Sequence, residues 1–337
     1  MIHLRMLGLN VAVLLAILWI PYAVADKPTL THGALAGERS RVLVSSDIGG
    51  GDPDDYQSMV HFLMYADLFD VEGLVSSPPL QGRVEHILET IDVYEKDYPA
   101  LLRHSSTYPT PAQLRSVAKQ GAIDRWPDNG VGEPTDGSRW IVERARAKDD
   151  RPLYVLVWGS ITDIAQAVHD APDIKGKLRV YAIGSWNTHN DRGARNYLFN
   201  EHPDLWWIES DSVFRGMYVG GTQDGEWGNK EFLEQHVRGH GALGDFLIGK
   251  LGAIKMGDTP SVLYVLLGNP DDPTAPSWGG SFVKTDHGPN YWTDPKAPEL
   301  AEGKYPGAKT VNLWRMDYLK DWRDRMDRLV AAPSTGK

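Results

Sequence analysis

Apolar and polar positions along this chain fall into short runs whose period changes from one run to the next. Arg41–Ser46, RVLVSS, is a β-branched apolar run of strand length. A Gly-rich turn follows, and 56–65 then has helical spacing. Val71–Val75 suits a second strand and Arg83–Tyr94 a second helix. Tyr154–Trp158, YVLVW, is continuously apolar, as a parallel strand covered on both faces requires. It feeds a helix from Thr162 to His169, and 178–183 is a further strand. This alternation predicts an α/β fold with a mainly parallel central sheet flanked by helices, a Rossmann-like open sheet. Ligands of such sheets sit beyond the carboxyl ends of the strands. Residues that follow the strands are therefore the ones able to converge.

Between these elements lie two irregular regions. The stretch 105–138 is rich in Pro, Gly and polar residues and reads as a long surface insertion or lid. The stretch 268–306 carries seven prolines and several aromatics. A last helical pattern, Val311–Val330, closes the domain. At the other end, Arg5 precedes an apolar run that finishes Ala23-Val24-Ala25. That pattern reads as a signal peptide cleaved after Ala25, with a retained membrane anchor as the alternative. The expected organisation is a signal peptide over 1–25, a linker over 26–40, one domain over 41–331 and a tail over 332–337. The mature chain is expected to be secreted or periplasmic, with no stable membrane insertion after cleavage.

Composition narrows the chemistry. The formal net charge is −10 and no basic run occurs, so a nucleic-acid backbone is not an expected partner. No cysteine is present, which removes disulfides, thiolate metal sites and cysteine nucleophiles. Metals held by oxygen, such as Ca²⁺ or Mg²⁺, stay available.

The most informative segment is the turn after the first strand, Ser45-Ser46-Asp47-Ile48-Gly49-Gly50-Gly51-Asp52-Pro53-Asp54-Asp55. A lone Asp in a turn or a first helical turn needs no functional explanation. Four within nine residues, around three glycines and after a buried strand, repel one another unless a cation neutralises them. Carboxylates without nitrogen or sulfur ligands select Ca²⁺ or Mg²⁺.

This turn resembles the Asp-x-Asp-Pro-Gly-x-Asp-Asp motif with which nucleoside hydrolases hold calcium. The longer segment RVLVSSDIGGGDPDDYQSMVHFLMYADLFDVEGLVSS resembles the nucleoside hydrolase-like domain of a cellulose-binding protein family of polysaccharide-degrading bacteria. So do SWNTHNDRGARNY, DLWWIESDSVFRGMYVGG and GDTPSVLYVLLGNPDDPTAPSWGG. The resemblance runs from about Arg41 to Val330 and implies a nucleoside hydrolase-like catalytic domain that uses Ca²⁺. It implies that Asp47 touches calcium and activates water, that Asp55 is the main calcium ligand, and that Asp54 holds a sugar hydroxyl. The Trp158 carbonyl and Asp258 complete the implied metal shell. Ser45 stands where the family has its first Asp, and three extra residues before Asp54 bring Asp52 into contention. Gly257 replaces the His that precedes the distant Asp in many members, so assistance to the leaving group must differ.

Other residues are less committed. Asn187, His189, Asn190 and Asn196 follow the strand over 178–183, and the family uses asparagines hereabouts to bind sugar hydroxyls; Asn187 and Asn196 are the candidates. Of the 12 tryptophans, Trp278 and Trp292 fall in the irregular region where rings could stack on a sugar or base, whereas the Trp206-Trp207 pair reads as core. The expected partner is a small sugar or nucleoside, or an oligosaccharide, and a homo-oligomer stays open. The implied activity is hydrolysis of an N- or O-glycosidic bond of a furanose-type sugar, a nucleoside or a plant-glycan furanoside. A non-catalytic carbohydrate-binding module is the competing expectation. A haloacid-dehalogenase-type phosphatase would need Asp-x-Asp-x-Thr at the first strand, and Asp47-Ile48-Gly49 does not supply it.

Overall fold

The computed structural model describes residues 27–49, 53–79, 82–125 and 128–330. The expected signal segment, Asp52 and the 332–337 tail lie outside these described residues. Among the described residues the sheet has eight strands: β1 Ser40–Ser46, β2 Phe69–Ser76, β3 Ala118–Gln120, β4 Leu153–Val157, β5 Leu178–Ile183, β6 Trp207–Ser210, β7 Val283–Lys284 and β8 Tyr291–Thr293. Their order across the sheet is β3-β2-β1-β4-β5-β6-β8-β7. All pairings are parallel except that of β7 with β8. The expected fold class is therefore the observed one.

The helices follow in chain order. They are α1 Asp54–Met64, α2 Val84–Leu102, α3 Pro111–Val117, α4 Asp136–Ala145, α5 Thr162–Asp170, α6 Trp186–Asn190 and α7 Arg192–Glu201. After them come α8 Asn229–His236, α9 Gly241–Lys250, α10 Thr259–Leu266, α11 Lys309–Asn312 and α12 Arg315–Met326. None among the described residues is long and apolar enough to cross a membrane.

The strands explain the two-sided core. Successive side chains of a strand point to opposite faces. In β1, Val42 and Val44 join a large cluster with Met59, Phe62 and Leu63 of α1. Leu43 joins a second cluster with Ile164 and Val168 of α5. β4 divides in the same way, with Leu156 on the first face and Val155 and Val157 on the second. Both strands are buried throughout, β4 as an unbroken apolar run and β1 around its apolar centre Val42–Val44. The chain leaves β1 towards β2 on one side and returns at β4 on the other, so strand order reverses there. That reversal opens a crevice beyond the ends of β1 and β4.

Two expectations are corrected. The 105–138 stretch is not only a surface insertion: it contributes α3 and the edge strand β3, which pairs in parallel with Leu74–Ser76. Its three strand residues, Ala-Lys-Gln, are joined by backbone bonds and carry no apolar signal. The irregular 268–306 stretch supplies β7 and β8, and it places Trp278 and Trp292 in the core rather than on a ligand-facing loop. Trp292 packs against Trp206 with ring centroids 4.9 Å apart.

Candidate functional site

Asp47 follows β1 directly and lies at the floor of a cavity of about 440 Å³. Asp54 and Asp55 enter from the first turn of α1, where negative side chains complement the positive end of the helix. Trp158 lines the cavity from the end of β4, Asn187 from α6 and Asp258 from the residue before α10. Six positions singled out in the sequence thus surround one space. Asn196 is not among them: it sits on the exposed side of α7, away from the cavity. The helix turns its Ala194 and Leu198 inward, so Asn196 faces outward.

Several contacts fix the floor. Ser46 Oγ donates to Asp55 Oδ1 at 2.5 Å and accepts from the Ile48 amide at 3.0 Å. The Trp158 amide donates to the Ser45 carbonyl at 2.7 Å, continuing the β1–β4 ladder to the cavity. The Trp158 ring has a structural task of its own. Its Nε1 donates to Ser261 Oγ at 2.8 Å, and that hydroxyl donates to the Asp258 carbonyl at 2.7 Å. The end of β4 is thereby tied to the loop carrying Asp258. The Asp258 side chain makes no capping bond to α10. The Gly257 amide lies 3.4 Å from Asp54 Oδ2. Gly159 is needed for close approach: a Cβ there would stand 2.8 Å from both Asp47 N and Asp47 Cβ.

Burial pushes the Asp47 carboxyl well above the ordinary carboxylate range. The charge of Asp55, a hydrogen bond shared with it and the charge of Asp54 push it further in the same direction. Such a group is at ease only when a proton or a cation lies between the carboxylates. The donor set, carboxylates plus the Trp158 carbonyl, is all oxygen and matches a hard divalent cation in kind. Among the described residues, no three acidic or His side chains are drawn together closely enough to hold a metal. The Trp158 carbonyl already accepts from Asn187 Nδ2 at 2.9 Å, and the Ile183 carbonyl accepts from the same nitrogen at 3.1 Å. A carbonyl has two lone pairs, so the Trp158 oxygen keeps one for a further partner.

The outer half of the cavity was not read from the sequence as a site. Phe214, Arg215, Tyr218 and Lys255 line it, together with Ser185 and Trp186. The segment DSVFRGMYVGG stood out, but nothing in its spacing distinguishes a wall from a packing turn. Ser185 has φ 58°, the left-handed region that non-glycine residues rarely occupy. Its amide donates to Asp211 Oδ1 at 2.6 Å, which holds the turn leading into α6. Trp186, the next residue, is 60% exposed at the mouth.

Residues 41–282 match the model of a family described as cellulose-binding Sde182, nucleoside hydrolase-like domain. The chain belongs to this family. A nucleoside hydrolase-related protein from Saccharophagus degradans, associated with carbohydrate metabolism, is 26% identical with a TM-score of 0.70, over 88% of this chain and 73% of that one. The effector protein XOO4466 shares the fold at 12% identity and a TM-score of 0.51, over 86% of this chain and 94% of that one. So does an inosine-guanosine nucleoside hydrolase, at 13% identity and a TM-score of 0.50, over 86% and 99%. No curated protein matches the chain in sequence. The Sde182-like chain therefore carries a nucleoside hydrolase-type fold, with its cavity at the reversal of strand order.

Proposed function

We propose that the Sde182-like chain is a secreted or periplasmic, calcium-dependent glycosidase that cleaves an N- or O-glycosidic bond of a furanose-type sugar. The observation that carries this is that Asp47, Asp54, Asp55, Asp258 and Trp158 all line one cavity. Asp55, Asp47, Asp258 and the Trp158 carbonyl would hold the cation, and Asp52 is a further candidate. Calcium, when bound, supplies a fixed positive charge that orients a sugar diol and eases deprotonation of water beside it.

The chain's own groups do the rest. Asp54 accepts a hydrogen bond from a ring hydroxyl. Asn187 keeps its Oδ1 as an acceptor for another, since its Nδ2 is engaged by the Trp158 and Ile183 carbonyls. Asp47 takes the proton of the attacking water. The water oxygen bonds to the anomeric carbon as the glycosidic bond breaks, and the bonding pair leaves with the aglycone. Positive charge develops on the sugar ring during this step, and the neighbouring carboxylates stabilise it. The sugar is released with inverted configuration.

The decisive experiment is a screen of nucleosides and aryl furanosides with and without EDTA. Calcium-dependent release of free sugar is expected. A second reading, a non-catalytic carbohydrate-binding module, is favoured by the family's description as cellulose-binding. Retention of the chain on cellulose or soluble oligosaccharides, with no cleavage of any screened glycoside, would establish it instead.

A further inference from the structure

Arg215 is one of two cationic side chains, with Lys255, that line this cavity. It lies on a short 3-10 turn, Val213–Met217, and lines the wall of a space whose floor is acidic. Its Nη1 donates to the Tyr218 hydroxyl at 3.0 Å and its Nη2 lies 3.3 Å from Ser185 Oγ. Its guanidinium also packs against the rings of Phe214 and Tyr305, 4.7 and 5.0 Å from their centroids. Every one of these partners is neutral. Among the described residues, Arg215 makes no ion pair, whereas Arg41, Arg195 and Arg325 each meet a carboxylate; buried Arg315 also meets none, but donates to four carbonyl and amide oxygens.

A guanidinium has five N–H donors in a planar fork suited to two oxygens at once. Two of the five are used in the contacts described. The two rings and two hydroxyls fix the plane of the fork without neutralising it. Neutral sugar hydroxyls do not call for such a group, because the acidic floor already offers them acceptors. Exposed Trp186 lines the same cavity and offers an aromatic ring there.

We propose that Arg215 recognises an anionic oxygen pair, carboxylate or phosphoryl, on the substrate. In this arrangement the furanose lies on the acidic floor, and the aglycone carries the negative charge towards Arg215 and beside Trp186. The substrate class is then an acidic furanoside rather than a neutral one. This rests on the furanoside reading given above.

The test is calorimetric titration of the full chain in calcium-containing buffer with matched ligands. They are the phenyl, 4-carboxyphenyl and 4-phosphonophenyl glycosides of ribofuranose and arabinofuranose. The charged aglycones are expected to bind about tenfold tighter than phenyl, the scale of one charge-assisted contact. The preference should shrink as salt is raised. Whichever charged arm binds tighter identifies the anion as carboxylate or phosphoryl. In Arg215→Met and Arg215→Gln the ratio of charged to neutral affinity should fall to about one. Equal affinity of the wild type for all three aglycones overturns the anion assignment while leaving the furanoside reading intact. An undiminished ratio in both variants overturns the role of Arg215. No binding of any member overturns the furanoside reading itself, and this inference with it.

Discussion

Asn187 of α6, which follows β5, and Trp158, at the end of the neighbouring β4, meet through a 2.9 Å hydrogen bond from Nδ2 to the Trp158 main-chain carbonyl. The contact orients two groups at once, a carbonyl available to a cation and an amide oxygen available to a sugar. Asn187→Ala removes a donor from a part-buried carbonyl, a loss of about 1–2 kcal/mol. The expected result is a roughly tenfold rise in KM with a smaller change in kcat. An unchanged KM on the substrate found in the screen would detach Asn187 from sugar binding.

Asp47 and Asp55 should separate by the kind of loss they cause. Asp47→Asn keeps the shape but cannot accept a proton, and a lost general base lowers kcat by about two to four orders of magnitude. Asp55→Asn should weaken calcium first, so that part of its activity returns at high calcium. Near-normal turnover in Asp47→Asn would move the base to another group, with Asp52 next to test.

Protein purified without chelator should contain about one Ca²⁺ per chain, as one oxygen-lined site of this kind holds. EDTA should lower Tm, and added calcium should restore it. Zinc at that stoichiometry, or a Tm indifferent to both treatments, would remove calcium from the proposal.

Gly159→Ala places a methyl group 2.8 Å from the Asp47 backbone and 2.6 Å from Ser77 Oγ. The β1 end must then shift, at a cost of about 1–3 kcal/mol for overpacking. A lowered Tm together with weakened calcium response is expected. Wild-type melting and activity in this variant would show that the floor is not held to that tolerance.

A buried carboxyl beside the Asp211–Val213 backbone gives a pH signature. Asp294 is pushed up to about 7, first by burial and then by the charge of Asp211. Its ordinary value lies near about 4, so between these values the folded chain holds a proton that the unfolded chain does not. The contribution to stability is fully present below about pH 4 and is lost as pH rises through about 7. Asp294→Asn should therefore show a smaller decline in Tm across that window than the wild type. Parallel Tm profiles for the two proteins would rule out Asp294 as the source.

Legibility in the sequence followed burial. β4 and β5 announced themselves because most of their side chains are apolar and covered, and β1 did so through its buried Val42-Leu43-Val44 centre. β3 and β7 have three and two residues and hold their places through backbone bonds, which leave no trace in hydropathy. The same contrast holds in the cavity. Asp47, Asp54 and Asp55 were visible as a cluster in sequence, whereas Arg215 and Tyr218 reach the wall from one turn and Lys255 from another, and only the fold brings them to the same cavity. Asn196 was misplaced because sequence proximity to Asn187 says nothing about which side of α7 it occupies.

The two outer strands set limits on assembly. β3 and β7 are very short, and each carries a lysine, Lys119 and Lys284. A long flat edge would offer a row of open amide and carbonyl groups to a neighbouring chain, but stubs with charged side chains template such growth poorly. The sheet is thus poorly suited to extension from copy to copy, although neither rim curls back to form a barrel. A second copy of the chain would meet this one more readily through helices or loops than through strand pairing.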